Sequence, residues 1–337
     1  MKKLRFVPDL VTGRLNENDA KSYFSRFGWF AFAFMLINIL VQNVIAVIVA
    51  TFFPSVYSHY LFMEFLSIVP FYCIALPIAY NILRPLPTED PIKEKIKPTE
   101  LLGCACISMA LMMVGNYISQ IFVSFFMVMR GAELQNPVAD SVMSMPHWAT
   151  LVFVCIIPPI LEELFFRGLL CRKLTVLGEA YAIILPSAFF ALAHGNFFQV
   201  FYAFVLGCFF SLVYIRTGKL VYTIILHMLI NLMGSFVPSL ILEYVDINAM
   251  LDAVSNGSFI INSSNIMGIL LLLLYELITY GAAIAGVVLL IKKYKEFKPQ
   301  TGILPPPERR GAACVLMNSG VAAAIALFAV VMLMSLL

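Results

Sequence analysis

The sequence predicts an all-α membrane protein, a polytopic transmembrane bundle of about eight or nine spans. Of its 337 residues, 61% are hydrophobic and only 12% are charged, about half the charged share of soluble domains. The mean hydropathy is strongly positive. Long apolar runs alternate with short connections, and every second connection is basic. These observations indicate one helical membrane domain without a soluble domain.

Nine apolar runs supply the candidate spans, because a helix needs about 20 residues to cross ~30 Å of hydrocarbon. They cover residues 27–53, 60–83, 101–129, 147–170, 180–195, 197–215, 220–241, 266–291 and 312–337. The count is eight or nine because the fifth and ninth runs fit a complete span least well. The 27-residue first run follows a polar segment and fits a retained span better than a cleaved signal peptide.

The basic residues predict the orientation in the membrane. Of the 22 Lys and Arg residues, all but Arg130 fall at the N-terminus or in every second connection, on one side of the predicted bundle. Cytoplasmic loops retain Lys and Arg, so this side and the N-terminus are expected to face the cytoplasm. The net charge of +3 therefore reflects topology, and no nucleic-acid partner is indicated.

The fourth run contains the stretch LEELFFRG, Leu161–Gly168, with three charges in an otherwise apolar helix. An ionisable group in hydrocarbon costs a few kcal/mol, so it persists mainly where it pairs, binds or reacts. Glu163 and Arg167 are spaced i and i+4 and share a helix face, whereas Glu162 is rotated by about 100°. One glutamate can thus be held by the arginine while the other is free for chemistry.

Other polar residues in neighbouring runs are candidates for the same site. His194 lies near the end of the fifth run, and His227 and Asn231 share one face of the seventh. Pro158 and Pro159 interrupt the fourth helix one turn before the glutamates. A broken helix at membrane depth is tolerated where it lines a protein-walled or wet cavity, so these residues predict a cavity.

Each feature also has a structural explanation when it is taken alone. Glu163 with Arg167 is compatible with an interfacial ion pair, and a single membrane His is more often a packing residue than a ligand. Glu276, with Tyr280 one turn further on, fits a structural interhelical hydrogen bond, and Gly286 fits close helix packing. Only the joint pattern favours a functional site.

That joint pattern consists of three motifs in separate predicted helices. The chain reads E-E-x-x-x-R at 162–167, F-x-x-x-H at 190–194 and H-x-x-x-N at 227–231, in that order. It resembles the CPBP family of intramembrane proteases, which groups CAAX prenyl endopeptidases with bacterial bacteriocin-processing and self-immunity proteins. The resemblance implies an endopeptidase that hydrolyses a peptide bond at the membrane. The implied catalytic residues are Glu162, Glu163, Arg167, His194, His227 and Asn231.

The resemblance covers about residues 147–241 and suggests a division of the chain. Residues 1–26 form a cytoplasmic segment, 27–146 the N-terminal transmembrane helices, 147–241 the CPBP-type catalytic core and 242–337 the C-terminal helices. The short loops look bacterial and favour a multi-pass protein of the cell membrane. The expected partners are the lipid bilayer and a membrane-associated peptide or protein substrate, rather than a prenylated protein.

Two versions of the hydrolytic mechanism remain open from the sequence. In one, Glu162 works with His194 to deprotonate a water, while His227 and Asn231 donate hydrogen bonds to the tetrahedral oxyanion. In the other, a zinc-like divalent metal activates the water, with Glu162, His194 and His227 as candidate ligands. Glu162 is the expected general base in both.

The depth of the candidate residues leads to a structural prediction. At ~1.5 Å per residue, Glu162 lies roughly 15 Å and His227 roughly 12 Å from the basic ends of their spans. His194 lies about 22 Å from the start of its run by the same rise, too near the outer face. We therefore expect the fifth and sixth runs to form a short or tilted hairpin that brings His194 to the depth of the others.

Two other classes of function compete with the protease. One is an ion- or proton-coupled transporter whose intramembrane Glu and His residues relay protons, although no paired inverted repeats are evident in the sequence. The other is a non-catalytic immunity protein that shields a membrane target. Cleavage by the purified protein distinguishes the enzyme from both.

Overall fold

The computed structural model describes residues 12–91, 93–245, 266–294 and 297–336, together with Phe6, Pro8, Asp9, Ser255 and Asn256. Helices dominate these residues, and no strand occurs among them beyond one isolated bridge between Gly178 and Thr301. The all-α class predicted from the sequence is therefore confirmed.

In the described ranges, eleven helices define the architecture, with one further helical turn at Pro54–Tyr57. The first six are α1 (Glu17–Phe52), α2 (Tyr60–Leu83), α3 (Pro98–Arg130), α4 (Pro137–Ser144), α5 (His147–Leu174) and α6 (Glu179–Ala193). The remaining five are α7 (Val200–Thr217), α8 (Leu220–Leu242), α9 (Ile266–Lys293), α10 (Gly311–Leu316) and α11 (Ser319–Met334).

Seven helices in the described part of the chain are long and apolar enough to cross a membrane, namely α1, α2, α3, α5, α7, α8 and α9. The other two apolar helices, α6 and α11, are shorter, with 15 and 16 residues. They correspond to the fifth and ninth predicted runs. The chain is thus a multi-pass membrane protein, with seven full-length candidate spans where the sequence indicated eight or nine.

Two predicted helix starts differ from the structure for local reasons. Helix α1 begins at Glu17, before the apolar run at 27, because the Asn16 side chain accepts a hydrogen bond from the Asp19 backbone N–H at 2.9 Å. The ninth run divides into α10 and α11, and Asn318 caps α11 by accepting from the Val321 N–H at 2.9 Å. Apolar runs therefore located these helices but not their polar ends.

An aromatic cluster packs α5 against α1 and α6, and α6 in turn against α11. The Phe165 ring lies 6.0 Å from Phe30, 5.3 Å from Phe34 and 6.0 Å from Phe189. Phe189 in turn contacts Phe328 of α11 at 5.7 Å. Because these rings are buried on several sides, they set the rotation of α5, and with it the direction in which its two glutamates point.

Helices α3 and α9 approach closely at Gly286, as the sequence suggested. A Cβ atom at this position would lie only 2.1 Å from the Cys106 carbonyl oxygen. Only glycine allows this crossing, which brings α9 against the part of the bundle that carries the site.

Contacts between connections support the predicted sorting of basic residues to one end. Glu179 at the start of α6 pairs with Arg216 at the end of α7 and accepts from the Gln300 N–H at 2.9 Å. At the opposite end, the Arg130 guanidinium donates to the Leu336 carbonyl at 2.6 Å. The loop ends therefore group as the basic pattern requires, while the assignment of the basic end to the cytoplasm stays a prediction.

Candidate active site

Helix α5 is widened before its two prolines. Residues Leu151–Ile156 have π-helical geometry, and Pro158 and Pro159 follow without backbone N–H groups. The Val154 carbonyl, which a residue at 158 would bond in an α-helix, accepts instead from Asn231 Nδ2 at 2.9 Å. The proline break thus frees a carbonyl that anchors the Asn231 side chain of α8.

A second π-helical stretch, Glu163–Cys171, contains the buried ion pair. Both side chains are fully buried, and Arg167 Nη1 donates to Glu163 Oε1 at 2.9 Å. Arg167 Nη2 donates to the Gly207 carbonyl at 3.1 Å, and its guanidinium lies 4.9 Å from the Phe190 ring and 5.6 Å from the Phe210 ring. The predicted Glu163–Arg167 pair is confirmed, and it neutralises one of the two adjacent glutamates.

His227 lies between the two glutamates. Its Nδ1 is 2.9 Å from Glu163 Oε1, and its Nε2 is 3.4 Å from Glu162 Oε2. The carboxylate opposite Nδ1 can only accept, so Nδ1 carries a hydrogen. The imidazole that contacts Glu162 is therefore His227, whereas the sequence paired Glu162 with His194.

The charges of this cluster balance in one protonation state. The formal charges sum to zero when His227 is doubly protonated and offsets, together with Arg167, the two carboxylates of Glu162 and Glu163. Each N–H of the imidazolium then faces a carboxylate oxygen. A net charge of zero has the lowest free-energy cost in a low-dielectric interior, because an unpaired buried charge is costly. Glu162 is the member of this cluster with the most solvent access, since 18% of its side chain is exposed against 0% for Glu163.

His194 ends the short helix α6 and opens toward the same space. Its Nδ1 lies 2.8 Å from the Phe190 carbonyl and must donate to it, which leaves Nε2 as an acceptor. The Phe190 ring separates the two imidazoles, with centroid distances of 4.8 Å to His194 and 5.8 Å to His227. With 15 residues, α6 is shorter than the full-length candidate spans, while the depth of His194 in the membrane stays a prediction.

One cavity of about 560 Å³ brings the candidate residues together. Glu162, His194, His227 and Asn231 all line it, whereas Glu163 and Arg167 lie behind its wall. We refer to it as the first cavity. Its remaining wall combines apolar side chains with further polar ones, namely Asn38, Gln42, Ser67, Tyr72, Ser141, Asn196, Gln199 and Tyr202.

The candidate metal ligands do not form a metal site in this arrangement. Within the described ranges, no three His, Cys, Asp or Glu side chains are placed so that they could hold a metal ion. Both ring nitrogens of His227 already face carboxylates, and Nδ1 of His194 is bonded to a carbonyl. The arrangement of these donor atoms therefore does not fit a bound metal ion.

Several residues of the site escaped the sequence reasoning. The Gly207 carbonyl holds Arg167, and a backbone acceptor leaves no mark on residue type. Tyr202 lines the cavity with its hydroxyl accepting from Gln199 Nε2 at 2.9 Å, and Asn196 donates to the Gln199 side-chain oxygen at 2.8 Å. A signal for this polar chain does exist in the sequence, because Asn196, Gln199 and Tyr202 recur every three residues around the start of an apolar helix.

Comparisons with known proteins agree with the three motifs. Residues 144–233 match the model of the Rce1-like family, described as type II CAAX prenyl endopeptidase. The chain is also 31% identical over 166 residues to the membrane-embedded CAAX protease MroQ of Staphylococcus aureus (strain USA300). That match covers 46% of this chain and 64% of the relative, slightly less than two thirds of its length. No solved structure gives a significant match.

Proposed function

We propose that this chain is an intramembrane endopeptidase of the CPBP type that hydrolyses a membrane-associated peptide or protein, since residues 144–233 match the Rce1-like family model and the chain is similar to a membrane-embedded CAAX protease. The observation that carries the proposal is the contact of Glu162 with His227 at the wall of the first cavity. This carboxylate lines the cavity, contacts the His227 imidazole and is not part of the neighbouring Glu163–Arg167 ion pair. Such a group suits the role of a general base.

The first step is the deprotonation of a water in the first cavity. Glu162 takes one proton while the water oxygen attacks the carbonyl carbon of the scissile peptide bond, and the π electrons move onto the carbonyl oxygen. His194 presents its free Nε2 to the same cavity and can orient the water by accepting its other hydrogen. Glu162 then gives its proton to the leaving nitrogen as the C–N bond breaks, so the step balances.

Two donors are available for the oxyanion that forms in this step. Once Glu162 has become neutral, the Nε2–H of the His227 imidazolium donates its hydrogen bond to the oxyanion instead of to Glu162. The Nδ1–H of His227 stays hydrogen-bonded to Glu163. Asn231 supplies the second hydrogen of its amide, since the first is donated to the Val154 carbonyl. Glu163 and Arg167 act through His227, and they are positioning residues rather than groups that touch substrate.

The proposed activity is tested by comparing membrane proteomes of cells that express the wild-type protein or the Glu162→Gln variant. We expect a set of peptide fragments that are present with wild-type and absent with the variant. Glu276→Gln is the matched control, because Glu276 is an intramembrane glutamate that lines neither the first cavity nor its neighbour. Identical fragment sets in all three strains would contradict the proposal.

Substitution of Asn231 by leucine is expected to lower kcat by about 10²–10³-fold with little change in KM, as for the loss of one oxyanion donor. The measurement is steady-state cleavage of a peptide that the proteome comparison identifies. Asn81→Leu is the control, because the Asn81 amide is exposed and donates only to carbonyls of its own helix. An unchanged kcat in Asn231→Leu would remove Asn231 from the mechanism.

Exhaustive chelation is expected to leave cleavage unchanged, because the donor set of the first cavity does not fit a metal ion. The purified protein is dialysed against a strong chelator and assayed on the same peptide. A loss of activity that added zinc restores would contradict the metal-free mechanism and favour Glu162, His194 and His227 as ligands.

The orientation with a cytoplasmic N-terminus is part of the proposal. It follows from the basic residues that gather at one end of the bundle, including Arg216 beside Glu179 and Arg172 beside Asp90. In this orientation Glu162 lies within the membrane, and the substrate enters the first cavity from the bilayer or from its surface. The bilayer and a membrane-associated chain are therefore the proposed partners.

A further inference from the structure

A second cavity of about 280 Å³ adjoins the first. The two share a wall, and the shared residues are Val138, Val142, Gln199, Tyr202, Ile230 and Asn231. This wall contains the proposed oxyanion donor Asn231 and the Tyr202 hydroxyl. A chain that occupies the first cavity at the reactive carbonyl therefore has the second cavity as its immediate neighbour.

The lining of the second cavity selects a particular chemistry. No Asp, Glu, Lys, Arg or His lies among the described residues that line it. Methionine, phenylalanine and leucine side chains alternate with the amides of Asn116, Asn136, Gln199 and Asn231. Amide groups can pair with the N–H and C=O groups of an extended peptide, while the apolar surface accepts uncharged side chains. A charged side chain would be desolvated there without a partner.

Helix α4 lines both cavities. It connects α3 and α5 and is too short to cross the membrane. Pro137 and Ser141 face the first cavity, whereas Ala139 and Met143 face the second. The Asn136 side-chain oxygen caps α4 by accepting from the Val138 N–H at 3.2 Å, so its amide nitrogen remains available to a ligand. Helix α4 thus contributes side chains to both cavities, which form one continuous cleft.

We propose that the second cavity binds an uncharged segment of the substrate chain on one side of the scissile bond. The proposal rests on the proposed endopeptidase function and specifies its substrate class. The substrate passes the wall at Asn231 and Tyr202 and places apolar or small polar side chains against Met112 and Phe198. An acidic or basic residue in this segment is excluded because nothing in the second cavity pairs with it.

Two substitutions fill the second cavity without touching Glu162 or His227. Ala139 is exposed on α4, and Ala139→Phe directs a ring into the space. Gly234 has only the Met112 sulfur at 3.7 Å from the position of an added Cβ, so Gly234→Leu also fits the fold while it reduces the volume. Ser144→Phe is the matched control, since Ser144 is exposed on the same helix and lines neither cavity.

The test is a cleavage profile of purified protein in detergent micelles against a pool of synthetic peptides with every residue type at each position. We expect the wild-type to disfavour Asp, Glu, Lys and Arg at consecutive positions on one side of the cleaved bond. Ala139→Phe and Gly234→Leu should lower kcat/KM by about tenfold or more for bulky residues at those positions and spare glycine there. Ser144→Phe should keep the wild-type profile.

The outcomes separate this proposal from the function on which it rests. Cleavage that depends on Glu162 but tolerates charged residues on both sides, or whose profile is unchanged in both filled variants, overturns the second cavity as a substrate site and leaves the endopeptidase intact. Absence of any cleavage that depends on Glu162 overturns both.

Discussion

Replacement of Glu162 by glutamine is expected to lower kcat by about 10²–10⁴-fold, the usual contribution of a general base. The amide keeps the size of the side chain and can still contact His227 Nε2, which lies 3.4 Å from the carboxylate. It cannot accept a proton from water at neutral pH. The loss should therefore appear in the chemical step, while substrate affinity and the fold remain.

Two measurements distinguish this loss from misfolding. Thermal unfolding in detergent should give nearly the same midpoint for wild-type and Glu162→Gln, because Glu162 is the most exposed member of its cluster and the fully buried Glu163–Arg167 pair stays intact. The Glu276→Gln control should keep full activity and the same midpoint. Wild-type activity in Glu162→Gln would show that another group activates the water, and His194, with its free Nε2 in the first cavity, would be the next candidate.

Replacement of Arg167 by methionine is expected to destabilise the protein by about 3–5 kcal/mol, the cost of leaving one partner of a buried pair uncompensated. Glu163 is fully buried, and Arg167 Nη1 at 2.9 Å is the permanent cation beside it. Methionine keeps the apolar stem between Phe190 and Phe210 but removes the donors to Glu163 and to the Gly207 carbonyl. The change therefore tests charge and hydrogen bonding with little change in packing.

A double-mutant cycle that combines Arg167→Met with Glu163→Gln is the control, because it measures the coupling between the two side chains. If the pair is coupled, Glu163→Gln combined with Arg167→Met should be less destabilised than the sum of the single variants by about 1–3 kcal/mol. The free energy of unfolding is measured in mixed micelles for all four proteins. Strict additivity would mean that the two side chains contribute independently and that Glu163 is neutralised by His227 instead.

The parts of the site that follow from local spacing could be predicted from the sequence. Glu163 and Arg167 share a face by their i, i+4 separation, and the structure joins them at 2.9 Å. The short length of α6 could be read from its apolar run at 180–195, and the helix has 15 residues. In both cases the prediction depends only on residues within one helix.

Contacts between helices could not be predicted in the same way. Whether His227 or His194 faces Glu162 depends on how α8 is rotated against α5, and that rotation depends on the π-helical turns and on the aromatic cluster around Phe165. The contact of Asn231 with the Val154 carbonyl likewise needs both the proline break and the approach of α8. The start of α1 was a different case, since Asn16 signals a helix cap in the sequence and the apolar run alone missed it.

The most direct test of the account is cleavage by the purified protein in detergent, followed as new peptide termini by mass spectrometry. Wild-type protein is expected to cut a peptide, Glu276→Gln is expected to cut it equally well, and Glu162→Gln should be slower by at least about 10²-fold with a nearly unchanged unfolding midpoint. Equal cleavage by wild-type and Glu162→Gln, or no cleavage of any peptide by wild-type, would contradict the assignment of Glu162 as the base of an intramembrane endopeptidase.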